Sequence, residues 1–109
     1  MENVLCIQET VAMCDNDEIF MKEMVVLMRN DIVECLSLLA EAFNNNNPAR
    51  TREVAHRVKG QAASMAAKDL MLHSKKVEDA AKIGFCTKTE YLSLVLSMKE
   101  FVRCTRDIV

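Results

Sequence analysis

Only three of the 109 residues turn or break a backbone by their own covalent make-up: Gly60, Gly84 and Pro48. Tight β-hairpins call for residues that tolerate positive φ, and repeated strands need such turns every few residues. A chain with two glycines cannot supply them. Met, Leu, Ala, Glu and Lys, which favour helices, fill much of the remainder, so the expected fold is all-α. Half the residues are hydrophobic, enough for one core, and the length predicts a single domain over residues 1–109.

Charge narrows the partners. Fourteen basic side chains stand against sixteen acidic ones, a net charge of −2, with no basic run. Nucleic acid and an anionic membrane surface are therefore not expected as partners, since both are gripped by clustered Lys and Arg. No apolar run approaches the roughly 20 residues that cross a bilayer, and no basic region precedes an apolar stretch at the N-terminus, which together predict a cytoplasmic protein. The five cysteines (Cys6, Cys14, Cys35, Cys86 and Cys104) are odd in number and widely spaced. They lack a CxxC pair to hold a metal and read as reduced thiols acting mainly as small hydrophobes.

Helix punctuation divides the chain into five segments. A short helix is expected over about Asn3 to Met13. Asp15 and Glu18 then form a capping-box-like start for a long helix from about Asn16 to Phe43. Its expected apolar stripe is Phe20, Met24, Met28, Asp31, Cys35, Leu39 and Ala42. Ile19, Val26 and Val33 lie off that stripe and are expected to be covered by the short helix through Val4, Leu5 and Val11. Asn44 to Asn47 end the long helix. Asn47 caps the next, with Pro48 at its first position, and that helix runs to about Ala66. A further helix spans about Lys68 to Ile83 and stops at Gly84. Thr87 and Glu90 make a capping box for the last, which carries Tyr91, Val95, Met98 and Val102 along one side. Short connections place successive helices antiparallel, so the expected architecture is an up-and-down four-helix bundle with a short additional N-terminal helix.

On the helix after Pro48, Thr51, Ala55, Val58, Ala62 and Met65 mark the buried side. His56 points about 140° away from it, taking about 100° per residue, and shares its side with Arg52, Lys59, Gly60 and Ala63. Glycine inside a helix costs about 0.5–1 kcal/mol relative to alanine, so Gly60 one turn beyond His56 implies clearance for an approaching molecule. A neutral imidazole nitrogen is a nucleophile, and Lys59 offers an ammonium to the negative phosphoryl group it would carry. His73 lies at the edge of the following helix's apolar line with no such company and is expected to be structural.

The run Ala55-His56-Arg57-Val58-Lys59-Gly60-Gln61-Ala62-Ala63-Ser64-Met65-Ala66 resembles the signature of histidine-containing phosphotransfer (HPt) domains. The likeness extends to Phe20-Met21-x-x-Met24 and Asp31 in the long helix. Gln61 stands where the family usually has a small residue, and Ala66 where glycine is common. These departures bear on contacts beside the ring and on the turn that follows. The resemblance implies a Gln or Glu on the next helix that accepts from one imidazole nitrogen and leaves the other free to attack. Glu78 is at the matching distance, flanking the apolar line of Leu70, Ser74, Val77 and Ala81. The plainer reading of Glu78 is a solvated acid paired with Lys75.

The expected function is thus a phosphorelay intermediate that shuttles a phosphoryl group between receiver-domain aspartates. His56 would be the acceptor, Lys59 the phosphate stabiliser, Gly60 the clearance and Glu78 the orienter of the ring. Phe20, Leu27, Arg52, Arg57, Gln61 and Ala63 are expected to meet the partner, with Leu38 a further edge contributor. The resemblance implies response-regulator receiver domains and a hybrid sensor histidine kinase as partners. It implies no cofactor on this chain, magnesium residing on the receiver, and no kinase or ATPase activity of its own. A monomer is expected. A phosphate-silent helical adaptor is the alternative, and a fragment of a larger hybrid kinase is disfavoured by the initiating Met.

Overall fold

The computed structural model describes residues 17–106. They form four helices: α1 (Glu18–Asn44), α2 (Pro48–Ser64), α3 (Lys68–Lys82) and α4 (Lys88–Arg106). The expected helix over Asn3 to Met13 and the Asp15 part of the expected cap lie outside the described residues.

Each start has a local cause. The described cap of α1 is Asp17: its carboxylate accepts from Phe20 N at 3.0 Å, and the helix begins at Glu18. Asn47 caps α2 by accepting from Arg50 N at 3.1 Å, ahead of Pro48. The Thr87–Glu90 box is formed in both directions. Thr87 N donates to Glu90 Oε1 at 2.9 Å, and Glu90 N donates to Thr87 Oγ1 at 3.1 Å. Gly84 takes φ +90 after α3, as a left-handed stop requires.

Cross-helix contacts fix the topology. Asp31 of α1 meets Arg57 and Gln61 of α2. Glu78 of α3 meets His56 and Lys59 of α2, and Ser97 Oγ of α4 donates to Asp69 of α3 at 2.9 Å. Phe43, late in α1, stacks on Tyr91, early in α4, with ring centroids 4.1 Å apart. Arg29, nearer the start of α1, donates to the carbonyl of Thr105 at the end of α4. Every neighbouring pair therefore runs antiparallel, and α1 packing on α4 closes an up-and-down four-helix bundle.

The core contains Val25, Ile32, Leu39, Val58, Leu70, Val77, Leu94, Met98 and Phe101, all essentially inaccessible to solvent. Its line on α1 differs from the expected one. The buried residues are Met21, Val25, Ile32, Cys35, Leu39 and Ala42, whereas Phe20 is 47% exposed and Met24 and Asp31 sit at the stripe's edge. The N-terminal half of α1 offers two adjacent apolar rows, and packing between α2 and α4 selects one. The same correction applies to α4, where Leu94, Ser97, Met98, Phe101, Val102 and Thr105 are buried while Tyr91 and Val95 are only partly so. Ile19 and Val33 are exposed, Val26 half so.

α2 ends at Ser64, two residues before the expected Ala66, because Ala66 adopts φ +54. That is a left-handed conformation suited to glycine, and Ala67 N then donates to Ala62 O at 2.9 Å to close the turn into α3. Cys35 is buried, and burial followed by the neighbouring Asp31 charge pushes its thiol up to about 11. Among the described residues no helix is long and apolar enough to cross a membrane.

Candidate functional site

The most closely associated helices are α2 and α3. Small side chains line both inner faces, Ala55 and Ala62 on α2 and Ser74 and Ala81 on α3, and small side chains let helix axes approach. The rim of this seam brings His56, Lys59 and Glu78 together.

His56 Nδ1 lies 2.5 Å from Glu78 Oε2, and Lys59 Nζ lies 2.6 Å from Glu78 Oε1. One carboxylate thus serves both groups. A carboxylate has only lone pairs to offer, so Nδ1 carries the hydrogen and the lone pair of the neutral ring is on Nε2. The His56 side chain is 69% exposed and that of Glu78 only 11%. Burial alone would raise the Glu78 carboxyl, yet the bonds and charges of Lys59 and His56 outweigh it and hold the group below the usual carboxylate range. Oε1 is held by the Lys59 ammonium in a close ion pair. Lys75, the alternative partner for Glu78, instead pairs with Asp79 at 3.2 Å.

An open cleft of about 560 Å³ lies beside the ring, lined by Ala49, Arg52, Glu53, His56 and Glu78. At Gly60 a Cβ would meet nothing within 4 Å, and no positive φ is needed there. Nothing among the described residues therefore requires a glycine there. Ala63 is exposed on the same side.

Other expected contributors are placed differently. Gln61 Nε2 donates to Asp31 Oδ2 at 2.7 Å. Arg57 Nε donates to the same oxygen at 3.2 Å, its Nη2 pairs with Asp31 Oδ1, and it reaches Glu34 at 3.5 Å. Both side chains are turned towards α1 and away from Glu78. Asp31 is half-buried; burial raises its carboxyl, but Arg57 and Gln61 bring it below the ordinary range. Sequence reasoning placed Asp31 in an apolar stripe and missed this anchoring role. The signal was the charge itself, an acid where an aliphatic residue was expected. Phe20 and Leu27 are exposed on α1, Leu27 by 64%. His73 is mostly buried, with Nε2 3.5 Å from Asp69, consistent with a structural side chain.

A helical bundle that presents one exposed, carboxylate-oriented histidine beside a lysine has the form of a histidine phosphotransfer module. The family model described as the Hpt domain matches residues 23–95, and the chain belongs to that family. Its fold is similar to the HPt domain of an Hpt sensor hybrid histidine kinase from Shewanella, with a TM-score of 0.87 at 14% identity. That match covers 96% of this chain and 92% of the other. No curated protein sequence matches the chain. Family membership makes histidine phosphotransfer within phosphorelays the general activity to which the domain belongs.

Proposed function

We propose that this protein carries a phosphoryl group on His56 between receiver-domain aspartates. The observation that carries the reading is the Nδ1–H bond to Glu78 at 2.5 Å, which leaves the Nε2 lone pair on the exposed side of the ring. In the transfer, Nε2 forms a bond to phosphorus as the aspartyl oxygen–phosphorus bond breaks, and the aspartate leaves as a carboxylate. Glu78 holds the tautomer and orientation, Lys59 supplies positive charge, and Gly60 with Ala63 leaves room for the receiver's edge. Phe20 and Leu27 supply apolar docking surface, Arg52 the positive rim of the cleft, and Arg57 and Gln61 a polar border shared with Asp31. Magnesium belongs to the receiver, and the domain carries no kinase or ATPase activity of its own. A hybrid sensor histidine kinase supplies the phosphoryl group upstream.

Incubation with several phosphorylated receiver domains and magnesium tests this directly. Acid-labile, alkali-stable label is expected on the wild type, absent from His56→Gln and slower to appear in Lys59→Ala. A receiver that binds tightly yet labels nothing would replace the carrier with a phosphate-silent adaptor.

A further inference from the structure

One carboxylate facing two cationic partners raises a question of charge. Glu78 is nearly buried, and its two oxygens are matched to different groups, Oε2 to the His56 ring and Oε1 to the Lys59 ammonium. With the ring neutral, Nδ1–H contributes a hydrogen bond but no full charge, so the ammonium is the counter-ion that lets the carboxylate stay ionised in place. Removing the counter-ion from a buried carboxylate is strongly unfavourable. Lys59 is therefore committed to Glu78 before transfer and is not poised over Nε2.

Transfer changes that balance. When Nε2 bonds to phosphorus and Nδ1 keeps its hydrogen, the ring becomes cationic and the phosphoryl group brings its negative charge to the exposed side. Glu78 then has a full positive charge 2.5 Å away on its Oε2 side. The ammonium is no longer required at Oε1, and a stronger anion has appeared within the sweep of its four-carbon stem, since Lys59 lies one helical turn from His56.

We propose that Lys59 is handed from Glu78 to the phosphoryl group as His56 becomes phosphorylated, making Glu78 a reversible dock for the lysine as well as an orienter of the ring. The hand-over rests on the carrier reading of His56, and it gives the lysine two resting places selected by the charge of the ring. The return step is the reverse: loss of the phosphoryl group leaves a neutral ring, and Glu78 recaptures the ammonium. Because Glu78 competes for the lysine, the forward and backward steps are kept closer in free energy than a lysine fixed on the phosphoryl group would allow.

Phosphoramidate is a suitable probe because it needs no receiver. Its phosphorus–nitrogen bond breaks, ammonia leaves with a proton, and the phosphoryl group bonds to Nε2. Isotope-labelled protein is followed at pH 7 through the Lys59 ammonium, the Glu78 carboxyl carbon and the phosphorus resonance. On phosphorylation of the wild type, the Lys59 signal should shift. Lys59→Met should displace the Glu78 carboxyl signal in the unphosphorylated protein and leave it nearly unchanged in the phosphorylated one, while shifting the phosphorus resonance. In Glu78→Gln, Lys59 should begin at the position of a solvated lysine. Lys59→Arg should restore the wild-type carboxyl signal, separating charge from packing. A phosphorylated His56 with an unmoved Lys59, or an equal effect of Lys59→Met on Glu78 in both states, overturns the hand-over and leaves the carrier intact. Absence of phosphohistidine with both phosphoramidate and phosphorylated receivers overturns the carrier, and the hand-over with it.

Discussion

At the scale of single residues, Gly60 and Ala66 are each suited to the other's position. Gly60 occupies helical backbone with open space around it, where alanine would be more stable. Ala66 occupies left-handed backbone at φ +54, where glycine would be. Gly60→Ala is expected to raise the stability of the isolated protein by about 0.5–1 kcal/mol, read as a higher urea midpoint, while slowing phosphoryl transfer from a receiver. An unchanged transfer rate would remove the clearance role. Ala66→Gly should stabilise by about 0.5–1 kcal/mol, because relief of left-handed strain exceeds the added freedom of the unfolded chain. Its transfer rate should be that of the wild type. The departure from the family at Ala66 thus concerns the turn, whereas Gln61 is accounted for by its bond to Asp31.

Among the helices, Asp31 is the principal polar link between α1 and α2. It accepts from Arg57 and Gln61 together, and its carboxyl lies below the ordinary range despite burial. The sign of the resulting pH dependence follows. A carboxyl whose folded value is depressed stabilises the fold above its unfolded value, about 3.9 for Asp, and loses that contribution as pH falls through the folded value. Asp31→Asn should cost about 1–2 kcal/mol at pH 7, allowing for the partial exposure of Arg57. The difference from wild type should shrink steadily in urea titrations below about pH 4. A difference that persists undiminished at pH 2 would show that shape, not charge, holds the link. Asn47→Ala removes the side-chain cap of α2 and should cost about 0.5–2 kcal/mol at any pH.

At the scale of the whole molecule, the described core and the proposed docking residues are separate. Phe101 is fully buried where α4 meets the bundle interior, and Phe101→Ala should lose about 3–5 kcal/mol. Leu27 is largely exposed on α1, and Leu27→Ala should stay within about 0.5 kcal/mol of wild type in stability. It should nevertheless weaken receiver binding, measured by calorimetry. A Leu27→Ala protein that binds receivers as well as the wild type would exclude α1's outer flank from the interface.

The sequence by itself determined the helical class, the breaks at Asn47-Pro48 and Gly84, the Thr87–Glu90 box, the buried side of α2 and the apolar line of α3. These are properties of local propensity and of periodicity within one segment, and they need no neighbour. His56 and Lys59 were legible together because three residues along a helix lie on one side. The pairing of His56 with Glu78 was legible only through likeness to a family, since twenty-two residues and a turn separate them. What tertiary structure alone decided was which of two apolar rows on α1 faces inward, that Asp31 holds Arg57 and Gln61, and that one carboxylate serves both His56 and Lys59. Each depends on the rotation and approach of one helix against another, which is set by packing across the whole bundle, where small side chains on α2 and α3 allow the seam to close.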